Sequence, residues 1–451
     1  MTAKEQLIEL VRAEKLNPIL VLETIDEMEP PDIAAAFVEL DTPGDIRLFR
    51  ILPKSIASDV FAELSHEQQQ SIISAMTDKE QSFIINDLFA DDAADLIEEM
   101  PPRIVTRLLK NATEETRSEI NTLLRYPEDS AGSIMTTEYV RLKEDQTVDQ
   151  VFDTIRKQGV HKETIYTCYV TDADRVLVGF VSLKDLIYAT PKATIGNIMH
   201  ESVISLNTTN THEETSAAFM KYGFVALPVV DSENKLVGIV TVDDAMRSTV
   251  ENTTETMQTM AGVKHSDKPY LKMGVIEHSR NRILWLMFLM ISAMLTGFVI
   301  SGSEDALLAV PALMAFIPML MDTGGNAGSQ SSTLIIRGMA VGELSLGNWL
   351  RVLWKETRVA LCCGLVLGTI NFGRIVLLNG HDSMMLKVAL TVTLSLCVTI
   401  LIAKTIGCML PMLAKLARLD PALMAAPLIT TIVDTFSLLV YFGIAKALLG
   451  I

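Results

Sequence analysis

The C-terminal part of the chain contains a membrane-length apolar stretch, Pro421-Ala-Leu-Met-Ala-Ala-Pro-Leu-Ile-Thr-Thr-Ile-Val-Asp-Thr-Phe-Ser-Leu-Leu-Val-Tyr441, in which Asp434 is the one acidic residue. A carboxylate inside a membrane helix costs roughly 2.5–3.5 kcal/mol on insertion scales, so it is expected to face water or a partner rather than lipid. The stretch therefore predicts a membrane protein, and Asp434 is its first candidate for a cation site.

Further apolar runs precede this stretch and are long enough to cross a hydrocarbon core of about 30 Å. With the last run, they give five predicted spanning segments: Ile283–Ser301, Ala306–Met321, Ala360–Leu378, Leu386–Met412 and Ala422–Leu449. The second segment is short unless it continues into the polar stretch that follows it. Basic residues gather before the first run, between the second and third, and before the last. The positive-inside rule then predicts a multi-pass plasma-membrane protein with cytosolic N-terminal domains and its C-terminus outside.

The charge of the chain is unevenly distributed. The sequence has 55 acidic and 38 basic residues and a formal net charge of −17, and the acidic excess lies entirely before Ile283. Such a surface argues against a nucleic-acid partner, which needs a basic footprint, and suits either cation sensing or simple solubility. The five cysteines show no Cys-x-x-Cys spacing, and the N-terminus shows no signal-peptide pattern. We expect free thiols and a soluble half that stays in the cytosol.

Residues 1–130 read as a series of short amphipathic helices separated by Pro or by Asp, Ser and Thr starts. Asp32–Leu40 and Asp91–Met100 are examples, each with apolar residues at helical spacing. Short helices of this kind bury their apolar stripes only by stacking on neighbours. The pattern predicts a small superhelical domain.

Residues 131–249 contain an internal duplication. The motif Leu177-Val-Gly-Phe-Val-Ser-Leu-Lys-Asp185 recurs as Leu236-Val-Gly-Ile-Val-Thr-Val-Asp-Asp244, each time after another strand-like run. Both copies resemble the CBS domain, whose paired form often binds an adenine nucleotide. The resemblance implies an ATP site at Ser182, Asp185, Phe224, Thr241 and Asp244. A Ser or Thr followed three residues later by Asp is equally a capping box for the next helix.

The polar segment 250–280 has a helix-compatible pattern and is expected to connect the CBS pair to a transmembrane domain at 281–451. Within that domain, Met321-Asp-Thr-Gly-Gly-Asn-Ala-Gly-Ser-Gln-Ser-Ser-Thr333 is too polar to face lipid, so it should line a cavity or pack inside protein. Together with Asp434 it could form a pore with oxygen ligands only, which favours Mg²⁺. The candidate metal residues are Asp434, Asp322, Asn326, Gly324, Gly325, Gly328 and Ala426.

Several of these segments together resemble the MgtE magnesium channel family: Gly324–Arg337, Asp420–Leu423, Pro427 with Asp434, and Tyr126–Met135. The resemblance covers essentially the whole chain. It implies a multidomain fold: a superhelical α-helical N-domain, an α/β CBS pair, a connecting helix and a five-helix α transmembrane domain. It also implies a homodimer in the lipid bilayer, with a pore in which Asp434 binds hydrated Mg²⁺.

The same resemblance implies feedback, in which cytosolic Mg²⁺ closes the pore and ATP tunes the response. The acids that would hold the regulatory Mg²⁺ are Asp91, Asp92, Asp95, Asp244, Glu251 and Glu255. The chain departs from the family pattern where further acids are common, with Gly223, Arg247, Asn252 and Thr256 in those places. A thinner acidic cluster predicts weaker Mg²⁺ sensing. Ala426 likewise lacks the polar side chain that some members carry before Pro427.

Two alternative functions fit the same residues. The first keeps the architecture but transports Mn²⁺ or Co²⁺, or exchanges the divalent ion against Na⁺ or H⁺. The second is a nucleotide-sensing membrane regulator that transports nothing, with Asp434 paired to Lys404 or Arg374. An enzyme is not expected, because the histidines form no motif with a nucleophile or metal partner, and primary pumping is not expected because no Gly-x-x-x-x-Gly-Lys-Ser/Thr loop occurs.

Overall fold

A computed structural model describes residues 2–13, 17–159, 162–266, 270–271, 273–379 and 383–450. The chain divides into two compact units, Met1–Thr249 and Val250–Ile451. Residues 267–269 and 272 of the predicted connecting segment lie outside the described residues. So do residues 380–382, which follow the third apolar run, and two of the histidines, His161 and His381.

The first unit begins with short helices that stack in two rows. Odd-numbered helices pack on odd-numbered ones from α1 to α9, and even-numbered helices do so from α4 to α10. Many begin at a side-chain cap, such as Thr2 and Thr77, and others begin with Pro. One core continues through the stack from Leu7 to Ile120, which confirms the predicted helical N-domain. The helices are α1 Ala3–Arg12, α2 Pro18–Ile25, α3 Pro30–Phe37, α4 Thr42–Phe49, α5 Lys54–Ala62, α6 His66–Ala75, α7 Asp78–Asp87, α8 Ala90–Glu99, α9 Pro102–Asn111 and α10 Glu114–Leu123.

The duplicated region forms two small sheets of the same design. In each sheet the first strand pairs in parallel with the second, and the second pairs antiparallel with the third. The elements of the first copy are β1 Arg141–Leu142, α11 Val148–Gln158, β2 Thr167–Thr171, β3 Leu177–Ser182, α12 Leu183–Tyr188 and α13 Ile195–Ile198. Those of the second copy are β4 Leu206–Asn207, α14 His212–Tyr222, β5 Ala226–Val230, β6 Leu236–Thr241 and α15 Val242–Met260.

The glycine of the repeated Leu-Val-Gly motif allows a close contact with a methionine side chain in both copies. A Cβ on Gly179 would lie 2.9 Å from the sulfur of Met199, and a Cβ on Gly238 would lie 2.7 Å from the sulfur of Met135. The third strand of each sheet therefore needs glycine where a methionine crosses it. The two copies also contact each other, because the hydroxyl of the buried Tyr169 donates to the carbonyl of Ala226 at 3.2 Å.

The second unit is helical. Helix α15 runs across the boundary between the units and ends at Met260. The helices that follow are α16 Val275–Ser301, α17 Glu304–Ala309, α18 Ile317–Ala340, α19 Trp349–Asn379, α20 Ser383–Leu416 and α21 Ala426–Leu449. Short 3₁₀ turns at Pro311–Phe316, Leu346–Asn348 and Pro421–Met424 precede α18, α19 and α21.

Within the described residues, four helical segments are long and apolar enough to cross a membrane: Val275–Ser301, Leu346–Leu378, Ser383–Leu416 and Pro421–Leu449. The predicted second span, Ala306–Met321, is not one helix, because Pro311 and a 3₁₀ turn separate α17 from α18. Its place is taken by the 24-residue α18, which includes the polar stretch and is therefore less hydrophobic than the other four. A total of five spanning helices stays a prediction that depends on α18.

Candidate cation sites

Helix α18 carries the Gly-rich stretch as a regular helix, and its glycines are contact points. A Cβ on Gly324 would lie 2.7 Å from Thr399 of α20, and one on Gly325 would lie 2.9 Å from Thr430 of α21. A Cβ on Gly328 would lie 2.7 Å from Ile429. The sequence led us to expect accessible glycine carbonyls, but an α-helix uses its interior carbonyls in its own hydrogen bonds. The structure gives these glycines a packing role, and their part in cation binding stays a prediction.

The opposite face of α18 is polar and exposed. Asp322, Asn326 and Gln330 follow one another at intervals of four residues and are all exposed. The Asn326 amide donates to Asp322 Oδ1 at 3.1 Å. We call these three residues the polar stripe. A stripe of this kind in a membrane helix needs water or a partner, since lipid cannot satisfy its groups.

Asp434 lies on α21 and is half-buried. It is close enough to α18 for the carboxylate of Asp322 to repel it. None of the described residues gives its side chain a salt bridge or a hydrogen bond. The hydroxyls of Thr430 and Thr431, one turn before it, are both bonded to the Pro427 carbonyl at 3.0 Å. Asp434 therefore carries an unpaired carboxylate next to an exposed polar face.

The pairing that the regulator hypothesis required is wrong. Lys404 is buried, but its ammonium lies 3.6 Å from Glu356 Oε2. Arg374 is exposed in the single chain and donates to Asn371 at 3.0 Å. Both cations have other partners, so neither neutralises Asp434.

Ala426 is the first residue of α21 and is half-buried. The turn before it is held by two hydrogen bonds: the Asp420 carboxylate caps the Ala422 amide at 2.8 Å, and the Ser332 hydroxyl donates to the Met424 carbonyl at 2.9 Å. These contacts explain why the sequence Asp420-Pro-Ala-Leu precedes the helix. They place Ala426 two turns before Asp434, at the start of the same helix.

A second group of acids lies in the first unit, where α8 approaches the start of α15. Burial, and then repulsion from Asp92 and Asp244, raise the pKa of Asp91 well above its ordinary value. Burial and repulsion from Asp244 raise the pKa of Asp92 to about 6. Burial, Asp244 and Asp243 together raise the pKa of Glu163 to about 7. We call Asp91, Asp92, Glu163 and Asp244 the junction acids.

One atom of this group has no partner. Asp91 Oδ1 is enclosed and lacks a hydrogen bond to any of the described residues. Arg247 is the cation within reach: its guanidinium donates to Glu63 Oε1 at 3.2 Å, and its charge opposes the raised pKa values of Asp92 and Asp244. Within the described residues, no three His, Cys, Asp or Glu side chains converge closely enough to hold a bare metal ion.

The other predicted regulatory acids lie elsewhere. Asp95, one turn after Asp91 on α8, is exposed. Glu251 and Glu255 are exposed on the part of α15 that belongs to the second unit. Glu163 and Glu63 are not evident as site residues from the sequence, because they are far from α8 and α15 along the chain. No local spacing signals them.

Two of the predicted nucleotide residues cap a helix. Ser182 and Asp185 form a reciprocal capping box at the start of α12. At the start of α15, the Thr241 hydroxyl donates to the carboxylate of Asp244. Burial raises the pKa of Asp185, but hydrogen bonds from Ser182 and His200 outweigh it and leave the pKa below its ordinary value. Phe224 is exposed and its ring stacks on that of Tyr222, with 6.0 Å between the two ring centroids. Phe224 lies two residues before Ala226, and Ala226 pairs with Thr241.

Comparison with known proteins covers both units. Family models match at residues 28–129 (MgtE intracellular N domain), 131–192 and 195–251 (CBS domain), and 317–444 (MgtE, divalent cation transporter). The magnesium transporter MgtE of Thermus thermophilus is 37% identical over 430 residues, which is 95% of this chain and 94% of that protein. This chain belongs to the MgtE family. The MgtE of Bacillus subtilis is 31% identical over 427 residues, 94% of this chain and 92% of that one.

Two solved structures resemble about half of this MgtE-family chain. One is the cytosolic domain of the Mg²⁺ channel MgtE in complex with ATP, with 36% identity and a TM-score of 0.50 over 51% of this chain and 95% of that one. The other is the soluble part of a magnesium transporter, with 28% identity and a TM-score of 0.51 over 55% of this chain and 98% of that one. MgtE proteins are membrane transporters, so family membership supports a transport role rather than an enzymatic one.

Proposed function

We propose that this chain conducts Mg²⁺ into the cytosol as a homodimer, through a pore lined by Asp434. The observation that carries the proposal is the carboxylate of Asp434, which lies near Asp322 of the polar stripe and has no hydrogen-bond or salt-bridge partner among the described residues. An acid kept in a membrane helix without a countercharge is explained if the countercharge is the transported ion. The relatives that share more than nine-tenths of its length are named magnesium transporters, which supports Mg²⁺ as the substrate.

The chemistry of the ligands also favours Mg²⁺. Asp434, Asp322 and Asn326 offer oxygen atoms, and no His or Cys side chain is part of the predicted set. Mg²⁺ gives up its waters reluctantly and is usually held through them by one or two carboxylates. A second copy of the chain would bring a second Asp434 and cover the exposed polar stripe, so a dimer solves the problem that the stripe poses in lipid.

We also propose that cytosolic Mg²⁺ closes the pore by binding at the junction acids. The enclosed Asp91 Oδ1 and the mutual repulsion of Asp91, Asp92 and Asp244 are relieved by a divalent cation. In this proposal ATP binds the CBS pair beside Phe224 and Thr241, as the ATP complex of a related cytosolic domain suggests.

The test is Mg²⁺ uptake into proteoliposomes that contain the wild type, Asp434→Asn or the matched control Asp305→Asn. Asp305 is an exposed acid in the first turn of α17. We expect uptake by the wild type and the control, and loss of uptake by Asp434→Asn at an unchanged melting temperature. Absence of uptake by the pure wild type at any internal Mg²⁺ concentration would refute the channel.

The alternatives give different results in the same assay. Transport of Mn²⁺ or Co²⁺ predicts that these ions are taken up in preference to Mg²⁺, and exchange predicts that uptake requires an opposing Na⁺ or H⁺ gradient. A regulator that transports nothing predicts no uptake of any of these ions.

A further inference from the structure

Three helices of the second unit meet at a buried ion pair. Lys404 of α20 and Glu356 of α19 have side chains that are only 7% and 13% exposed, with Nζ and Oε2 3.6 Å apart. Ser331 of α18 joins them: its hydroxyl donates to Glu356 Oε2 at 2.7 Å and accepts from Lys404 Nζ at 3.2 Å. We call these residues the charged triad. From the sequence alone, Lys404 was a candidate partner only for Asp434.

Such a pair is costly to keep. Two charges lose their hydration energy when they are buried, and their mutual attraction offsets this loss only with good geometry and further hydrogen bonds. Replacing a buried ion pair by apolar residues of similar volume often leaves stability unchanged or increases it. An ionisable group inside a membrane domain is therefore a functional hypothesis by default. The triad does not include Asp434, and its groups are turned toward one another rather than toward the exposed polar stripe.

The location of Ser331 shows what the triad could control. Next to it, Ser332 bonds to the Met424 carbonyl just before α21. One turn earlier, Gly328 is so close to α20 that a Cβ on Gly407 would lie 2.2 Å from the Gly328 carbonyl oxygen. Between residues 328 and 332, α18 is thus fixed to α19, α20 and the turn before α21. The polar stripe lies on the same helix and moves with it.

We propose that Glu356 and Lys404 are positioning residues, which act through Ser331 to set the rotation and height of α18 and so hold the polar stripe opposite Asp434. They do not contact the ion. The inference depends on the proposed pore for its effect on transport, whereas its effect on helix position is independent of transport. Packed helices transmit such displacements because they shift by about 1–2 Å rather than deform.

The sharpest test removes one hydroxyl and leaves both charges in place. Ser331→Ala breaks the bridge from α18 to the pair, while Ser329→Ala is the matched control, because the enclosed Ser329 hydroxyl has no partner among the described residues. We expect Ser331→Ala to change the half-saturating Mg²⁺ concentration, or the preference for Mg²⁺ over Mn²⁺, by about tenfold, as loss of a group that orients metal ligands does. Ser329→Ala should match the wild type. Equal kinetics for the two variants would overturn the inference.

A second experiment separates position from stability. The single variants Glu356→Gln and Lys404→Met leave one buried charge and should lower the melting temperature by roughly 10 °C. The double variant should recover most of that loss, because it leaves no unpaired charge. If the pair positions α18, the double variant still shows altered ion preference. A double variant with wild-type stability and wild-type transport would mean that the pair is only structural.

A distance measurement keeps the inference testable if the wild type conducts no Mg²⁺. Spin labels at Leu334→Cys on α18 and Leu439→Cys on α21 would be introduced into a full-length chain whose five native cysteines are replaced. Both positions are exposed. We expect the label separation to shift by roughly 2 Å in the Glu356→Gln/Lys404→Met double variant and to stay unchanged in Ser329→Ala. An unchanged separation in the double variant would contradict the inference whatever the transport assay shows.

Discussion

In the first unit the junction acids lie close together around α8 and α15, whereas in the second unit Asp434 has Asp322 as its one acidic neighbour on α18. Burial first, and then repulsion between neighbouring carboxylates, raises the pKa values of the junction acids, and Arg247 opposes the rise at Asp92 and Asp244. Around Asp434 the neighbouring groups are threonine hydroxyls and closely packed glycines. A crowded site is relieved by a cation and can act as a sensor; a sparse site holds an ion weakly enough to release it.

The largest contrast is expected when the same change, Asp to Asn, is made in each region. Asp434→Asn should reduce Mg²⁺ uptake by about 100-fold, since it removes the charge that the pore offers to the ion. Asp91→Asn should leave maximal uptake intact and instead weaken the inhibition by internal Mg²⁺. Proteoliposome uptake at several internal Mg²⁺ concentrations measures both effects. Inhibition that is unchanged in Asp91→Asn would remove Asp91 from the sensor.

The close packing around the pore helix should be the next most sensitive feature. Gly407→Ala places a methyl group against the carbonyl oxygen of Gly328. This oxygen belongs to the backbone and cannot move without displacing the helix. We expect a destabilisation of about 3 kcal/mol, at the upper end of overpacking costs, together with reduced transport. Gly373→Ala is the control, because nothing lies within 4 Å of its added Cβ. Thermal unfolding in detergent measures the difference between the two variants.

A smaller effect is expected at the cation of the junction. Arg247→Ala removes the charge that competes with Mg²⁺ near Asp92 and Asp244. The Mg²⁺ concentration that protects the first unit from proteolysis should therefore fall by roughly tenfold, the order expected for one partly screened charge. Arg103→Ala, at an exposed position on α9, should leave it unchanged. An unaltered Mg²⁺ requirement in Arg247→Ala would show that the guanidinium does not compete with the ion.

The smallest effect is a dependence of stability on pH. The raised pKa values, about 6 for Asp92 and about 7 for Glu163, mean that the folded state binds more protons than the unfolded state between about pH 4 and pH 7. Without Mg²⁺, the melting temperature of the first unit should therefore fall as the pH rises through this range. The charged groups that face one another there are Asp91, Asp92, Glu163, Asp243, Asp244, Glu63, Asp59, Glu138 and Arg247.

Added Mg²⁺ should reduce this slope, because it stabilises the charged carboxylates above pH 7. The comparison is a set of thermal scans at fixed ionic strength with Mg²⁺ or an equivalent concentration of Na⁺. A melting temperature that rises with pH across the range would contradict the assigned pKa directions.

The sequence by itself determined the order of the matched domains, and it singled out Asp434 as the proposed pore acid. Helical spacing, the repeated Leu-Val-Gly motif and the apolar runs are local patterns, and local patterns are set by the period of the backbone. Asp434 is also identified by a local pattern, because an acidic residue within an apolar run can be recognised without knowing which residues it contacts. The capping-box interpretation of Ser182 and Asp185 was also local, and the structure bears it out.

What only the tertiary structure decided depends on residues distant in the chain. The glycines of α18 serve helix contacts with Thr399, Thr430 and Ile429, which the sequence could not distinguish from exposed carbonyls. Glu163 joins Asp91 and Asp244 from a separate loop. Lys404 could be matched with Asp434 by sequence alone, yet the fold pairs it with Glu356. The physical reason is the same in each case: a charge or a small side chain acquires its role from the atoms it meets, and helix packing, rather than sequence spacing, brings those atoms together.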